Sequence, residues 1–138
     1  MWRQGRRWAG AGLLLWLAAC SGSRPPSRPA APRRVVAGPA VQKGLGSYYA
    51  DKFAGRATAS GSIYRPNQMT CAHNTLPFGT QVRVTNLRNG RHVDLTVTDR
   101  GPHTKGYIVD VSRRAAELLD LVQAGVVPVT VQVLKPAR

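Results

Sequence analysis

The sequence has no apolar run long enough to cross a membrane, few cysteines and very few acids. Its longest apolar stretch, Trp8–Ala19, is about a dozen residues, whereas a spanning helix needs about 20, so a transmembrane anchor is excluded. Only two cysteines occur, Cys20 and Cys71, too few for a disulfide framework. The histidines His73, His92 and His103 stand in no metal-ligand spacing, and neither a metal nor a cofactor is expected. With 138 residues there is room for one domain rather than two. Six Asp and Glu stand against 20 Lys and Arg, a formal net charge of +14. Such a balance calls for an anionic polymer as partner. No run of like charges exceeds a pair, so a merely solvated basic surface is the competing explanation.

What is present begins with a leader. Arg3, Arg6 and Arg7 precede the short apolar stretch, the pattern of a secretory signal over residues 1–19. Its end, Leu17-Ala18-Ala19-Cys20, resembles the lipobox of bacterial lipoproteins. The resemblance implies cleavage before Cys20, lipid on its sulfur and a membrane anchor of two or more acyl chains. Ser21 in place of Asp then points to the outer membrane where a cell has one, and export makes nucleic acid an unsuitable anion. Cys71 is left without a partner, so the folded part is expected to hold by its core alone. Residues 20–43 are rich in Pro, Ser and Arg and are expected to be a disordered tether.

From residue 44 to about 135 the pattern is that of a folded domain. Gly46–Ala50 and Tyr107–Val111 are expected strands, and Gln81–Asn86 alternates with Val82 and Val84 on one face. Arg91–Asp99 alternates likewise through Val93, Leu95 and Val97, and Asn89-Gly90 between these two runs predicts a hairpin with a type I′ turn. Ser112 predicts the N-cap of a helix over about 113–122, and Val129, Val131 and Val133 a last strand. Residues 54–70 predict only loop. Many short strands with one brief helix mean a small, mostly β barrel or sandwich, and pattern alone does not choose between them.

Several segments narrow the choice: Thr58-Ala59-Ser60-Gly61, Ala72–Thr80, Val82–Asn86, Asn89-Gly90-Arg91, Asp99-Arg100-Gly101-Pro102 and Ile108–Ser112. In this order and spacing they closely resemble the rare lipoprotein A family, over about two thirds of the chain. The resemblance implies a six-stranded double-psi β-barrel with one short helix. It implies a lytic transglycosylase that cleaves peptidoglycan glycan strands, preferably those without stem peptides, and leaves 1,6-anhydromuramyl ends. The family's functional positions fall on Asp99, Asp110 and His73, expected as catalytic residues; Thr58, Ser62, Tyr64 and Arg100 are expected as substrate contacts. Members commonly carry glutamate where this chain has Ser62, and many carry a C-terminal peptidoglycan-binding repeat that has no counterpart here.

Lytic cleavage needs one proton delivered to the glycosidic oxygen and one removed from the muramyl C6 hydroxyl. The carboxyl side chains available are Asp51, Asp94, Asp99, Asp110, Glu117 and Asp120. Asp99 keeps the parity of Val93, Leu95 and Val97, which predicts an inward-facing position at the barrel mouth. The competing role is a turn-stabilising Asp. Asp110, just ahead of the helix cap, is expected to have its ionised form favoured there, or else simply to hold the helix start. His73 would bind sugar hydroxyls or orient a carboxylate, against a packing role. A Cys71–His73 nucleophile pair fits less well than a buried inert thiol. Tyr48, Tyr49 and Tyr64 would stack on sugars or serve as core. Three outcomes follow: an enzyme acting through Asp99, a glycan-binding module that lost turnover at Ser62, or an expansin-like wall-loosening protein.

Overall fold

A computed structural model describes residues 40–138. The expected leader over 1–19, the lipidated Cys20 and the tether as far as residue 39 lie outside the described residues. Six strands form: β1 (Val41–Tyr48), β2 (Thr70–Ala72), β3 (Gln81–Asn86), β4 (His92–Asp99), β5 (Tyr107–Val111) and β6 (Val127–Lys135). One helix, α1 (Arg113–Leu118), lies between β5 and β6, and a single 3-10 turn spans Asp51–Phe53. The strands close into a barrel in the order β1-β5-β2-β4-β3-β6. Two pairs, β1 with β5 and β2 with β4, are parallel, and the others antiparallel. This is the mostly β, six-stranded architecture with one short helix that the resemblance implied, and closure leaves no open sheet edge.

The alternation in the sequence selects the core. Val82 and Val84 of β3, Val93, Leu95 and Val97 of β4, Val109 and Val111 of β5, and Val127, Val129 and Val131 of β6 are all buried. These β-branched and leucine side chains point to one face of each strand at period two and fill the barrel. Ala115 and Ala116 of α1, with Leu119 and Leu121 beyond it, pack against them.

Four expectations are corrected. β1 begins at Val41, because Val41, Gln42 and Lys43 pair with Gln132, Val131 and Thr130 of β6; these residues belong to the barrel rather than the tether. β2 lies at the edge of a segment that predicts only loop, since three residues are too few to show a period. The hairpin between β3 and β4 forms without a type I′ turn: of its loop only Gly90 has positive φ (74°), whereas that turn needs two such residues. The Asn86 carbonyl accepts from Gly90 N–H at 2.8 Å, and its side chain accepts from Arg88 N–H at 2.9 Å. Lastly, α1 stops at Leu118 rather than near 122. Leu119 and Leu121 are both fully buried, and a spacing of two cannot place them on one helical face. Asp120 between them turns left-handed at φ 56°, and Leu121 N–H reaches the Ala116 carbonyl (2.8 Å) while Asp120 N–H reaches that of Glu117 (3.2 Å). That pair of bonds is a Schellman cap.

The cap yields a stability test. Asp120 holds a conformation that costs an ordinary residue backbone energy and glycine almost none. Asp120→Gly should stabilise the domain by about 0.5–1 kcal/mol, a rise of a few degrees in Tm, in thermal melts followed by circular dichroism. An unchanged or lower Tm would show that the left-handed turn is not strained.

Candidate active site

The pairing register brings the two expected carboxyls together. Ser47 of β1 lies opposite Asp110 of β5, Asp110 opposite Ala72 of β2, and Ala72 opposite Asp99 of β4. The pairing of β2 with β4 slips between Cys71, which faces Val97, and Ala72, which faces Asp99. Paired residues share a face of the sheet. Cys71, Val97 and Val111 point into the core, so Asp99 and Asp110 stand with Ala72 on the outer face. The inward-facing position expected for Asp99 is thereby corrected: the slip consumes one residue of β4 and breaks the parity with Val97. Two strand spacings separate the Asp99 and Asp110 backbones, roughly 10 Å.

Both carboxyls line a groove of about 750 Å³ on this face, together with Tyr49, Lys52, Phe53, Arg56, Arg100 and His103. Asp99 sits in a cage of donors. Its Oδ1 accepts from Ala59 N–H and Arg100 N–H, each at 2.8 Å, and its Oδ2 from the Tyr49 hydroxyl at 2.8 Å. The Tyr49 ring is fixed by stacking on Tyr64 (centroids 4.4 Å apart) and by an edge contact with Phe53 (6.0 Å). Burial, then the bond to Asp99, push the Tyr49 phenol well above its ordinary value, so it remains a donor. Asp110 accepts from the Ser47 hydroxyl. Burial pushes its carboxyl up; the Ser47 bond and His103 pull it down, and Asp99 adds to the rise. The expected bias of Asp110 toward its ionised form is therefore reversed. It points away from the face that carries the core, and α1 has only six residues.

His73 does not line this groove. It is 2% exposed, its Nδ1 accepts from the N–H groups of Thr75 and Leu76 (3.2 Å each), and its Nε2–H donates to Gln42 Oε1 at 2.9 Å. Its carbonyl, with that of Leu76, accepts from Arg100 Nη1 at 3.0 and 2.8 Å. His73 thus positions the Asp99–Arg100 turn from behind. Arg100 touches the groove, but its guanidinium is committed to those carbonyls and to the Phe78 ring, 3.9 Å from the centroid. Tyr64, expected as a substrate contact, is 4% exposed, and its hydroxyl accepts from Arg113 N–H at 3.2 Å. Thr58 and Ser62 lie on the adjoining loop, which carries Ala59 to Asp99. Their hydroxyls are 2.8 Å apart and both meet Ser60 at 3.0 Å, closing a triangle that shapes this loop.

The residues that individual motifs did not single out are Ser47, Lys52, Phe53, Arg56 and His103. Tyr49 was foreseen as a possible sugar platform, not as the donor to Asp99. Its place one residue beyond β1 was the available signal. Cys71 is fully buried and its thiol is pushed up to about 12 by burial, which rules out the nucleophile pair. Among the described residues no three His, Cys, Asp or Glu side chains gather as a metal would need.

Residues 41–131 match the family described as "Lytic transglycolase". The chain is 51% identical over 94 residues to the probable endolytic peptidoglycan transglycosylase RlpA of Nostoc sp., covering 67% of this chain and 25% of that protein. It is 50% identical over 98 residues to the endolytic peptidoglycan transglycosylase RlpA of Pasteurella multocida, covering 71% and 33%. The chain thus spans about a quarter to a third of the length of these curated relatives. Among solved structures, Streptomyces papain inhibitor has a TM-score of 0.56 at 24% identity, over 70% of this chain and 96% of its own. An expansin of Clavibacter michiganensis has 0.56 at 20%, over 72% and 53%. At these identities the two structures speak to the fold alone.

The buried imidazole gives a pH test. Burial, then Arg100, hold His73 below its ordinary value of 6.5. The unfolded chain therefore binds more protons between the folded value and about 6.5, so this contribution is complete above that pH and is lost as pH falls. His73→Asn keeps an acceptor for the Thr75 and Leu76 amides but does not titrate. It should lower stability by about 1–2 kcal/mol at pH 7.5 and flatten the fall between pH 7 and 5 in urea titrations. A wild-type fall that survives in the variant would assign it to other groups.

Proposed function

Since the chain belongs to the lytic transglycolase family, we propose that its outer groove binds peptidoglycan glycan strands and cleaves them without water. The observation that carries this reading is the pair of carboxyls, Asp99 and Asp110, on one face of one groove in contrasting surroundings. Asp110, held toward its protonated form by burial, delivers a proton to the glycosidic oxygen as the C1–O4 bond breaks. The muramyl C6 oxygen closes on C1, and Asp99 takes the C6 hydroxyl proton. One proton is lent and one recovered, so the balance needs no hydrolytic water, and the product carries a 1,6-anhydro ring. Tyr49, Ala59 N–H and Arg100 N–H hold the Asp99 carboxylate in place for that transfer.

Strands stripped of stem peptides are the preferred substrate in this reading. They expose lactyl carboxylates, and Lys52 and Arg56 border the groove. A second reading, binding without turnover, is favoured by one observation. Ser62 stands where the family commonly has glutamate, and its hydroxyl is engaged with Thr58. The proposal includes attachment to a cell-envelope membrane through lipid on Cys20, supported by the leader and the Leu17–Cys20 segment.

The reaction is tested on purified sacculi freed of peptides, with anhydro ends detected by mass spectrometry. Slow cleavage is expected from the wild type. Asp99→Asn and Asp110→Asn should each reduce it by about 10²–10⁴-fold, the usual cost of losing a proton-transfer group, and Ser62→Glu should raise it. Strand binding with no anhydro ends, together with activity gained by Ser62→Glu, would establish the binding module instead. The anchor is tested separately: mass spectrometry of the protein from membranes should find an acylated N-terminal Cys20, and an unmodified mature terminus elsewhere would dismiss it.

A further inference from the structure

Several cations of the described domain are already engaged. Arg83 pairs with Asp94, and Arg113 and Arg114 pair with Glu117. Arg100 serves backbone carbonyls. Lys52 and Arg56 have no carboxylate within ion-pair distance, and of the cations so left unpaired among the described residues they are, Arg100 aside, the ones that line the groove. Both border the groove, and both are held against one ring. Lys52 Nζ lies 5.4 Å and the Arg56 guanidinium 5.9 Å from the centroid of Phe53. Phe53 is itself 37% exposed at the groove rim and is braced by its edge contact with Tyr49. A cation–aromatic contact limits the freedom of long side chains that would otherwise sample many rotamers.

The floor of the same groove carries Asp99 and Asp110. An anionic ligand that reached the Asp99 carboxylate unaided would meet like charge, and at short range such repulsion is substantial even near a surface. Two ordered, unpaired cations on one wall reverse that sign locally. In a muramyl residue the lactyl group ends in a free carboxylate when the stem peptide is absent. When the peptide is present, the same atoms form a neutral amide. We infer that Lys52 and Arg56, held by Phe53, form a subsite that reads the free lactyl carboxylate and so selects peptide-free strands. This rests on the glycan-strand reading of the groove and adds the residues that discriminate.

The test uses the full chain and two ligands, titrated at low temperature to suppress turnover. One ligand is peptide-free glycan strands; the other is the same strands with their carboxyls converted to methylamides. The wild type should prefer the free acid roughly tenfold, from two partly screened charge contacts. The Lys52→Gln/Arg56→Gln double variant should bind the free acid roughly tenfold more weakly, down to the level of the methylamide, with methylamide binding unchanged. A control of equal charge, Arg65→Gln/Arg88→Gln, should keep the preference. A double variant that retains the full preference, or loses affinity for both ligands alike, would overturn the subsite and leave the groove's function standing. A wild-type chain that binds neither ligand would overturn the glycan-strand reading, and the subsite with it.

Discussion

The three residues of β2 carry hydrogen-bonded ladders on both sides, to β5 and to β4. Without them those two strands would present rows of unpaired N–H and C=O groups, and the barrel would open along one wall. The same segment sets the site. Cys71 turns inward among Val97 and Val111, and Ala72 turns outward between Asp110 and Asp99. Had the pairing with β4 run without its one-residue slip, Asp99 would have followed Val97 into the apolar interior. An unpaired carboxylate is costly there. The slip that spares this cost also aligns the two carboxyls on one face.

Once on that face, Asp99 gathers parts of the chain that are far apart in sequence. Tyr49 comes from the end of β1, Ala59 from the long loop and Arg100 from its own turn. Each donor is held in turn: Tyr49 by Tyr64, the Ala59 loop by the Thr58–Ser60–Ser62 hydroxyls, Arg100 by the carbonyls of His73 and Leu76. The consequence is a carboxylate with little freedom to move, beside a second carboxyl that has Ser47 as its donor. Preorganisation of this kind suits proton transfer, which demands geometry before it demands a particular pKa. Gly101, at φ 126°, lets the chain leave this turn without a side chain in the groove.

Much of the fold was legible because its signals are local. Period-two valines mark β3, β4 and β6, Asn89-Gly90 marks the hairpin, and Ser112 caps the helix, its hydroxyl accepting from Ala115 N–H. β2 was not legible, since three residues hold no period and are strand only because β4 and β5 flank them. The helix end was misjudged because Leu119 and Leu121 obey the demand of the core rather than the helical repeat. At the site, the motifs named Asp99 and Asp110 rightly as neighbours of the groove. They did not reveal that His73, Tyr64 and Arg100 support the site from behind. A motif records which residues are kept together, not which atoms face outward.

The sequence by itself therefore determined the strands that carry a period, the valine-rich core and the identity of the two carboxyls, since each depends on spacing and side-chain chemistry within a few residues. Only the tertiary structure decided which way those carboxyls face and what surrounds them. Register between β2 and β4, strands more than twenty residues apart, is set by closure of the whole barrel. No local pattern specifies that closure, and a slip of one residue in it exchanges a core position for a groove position.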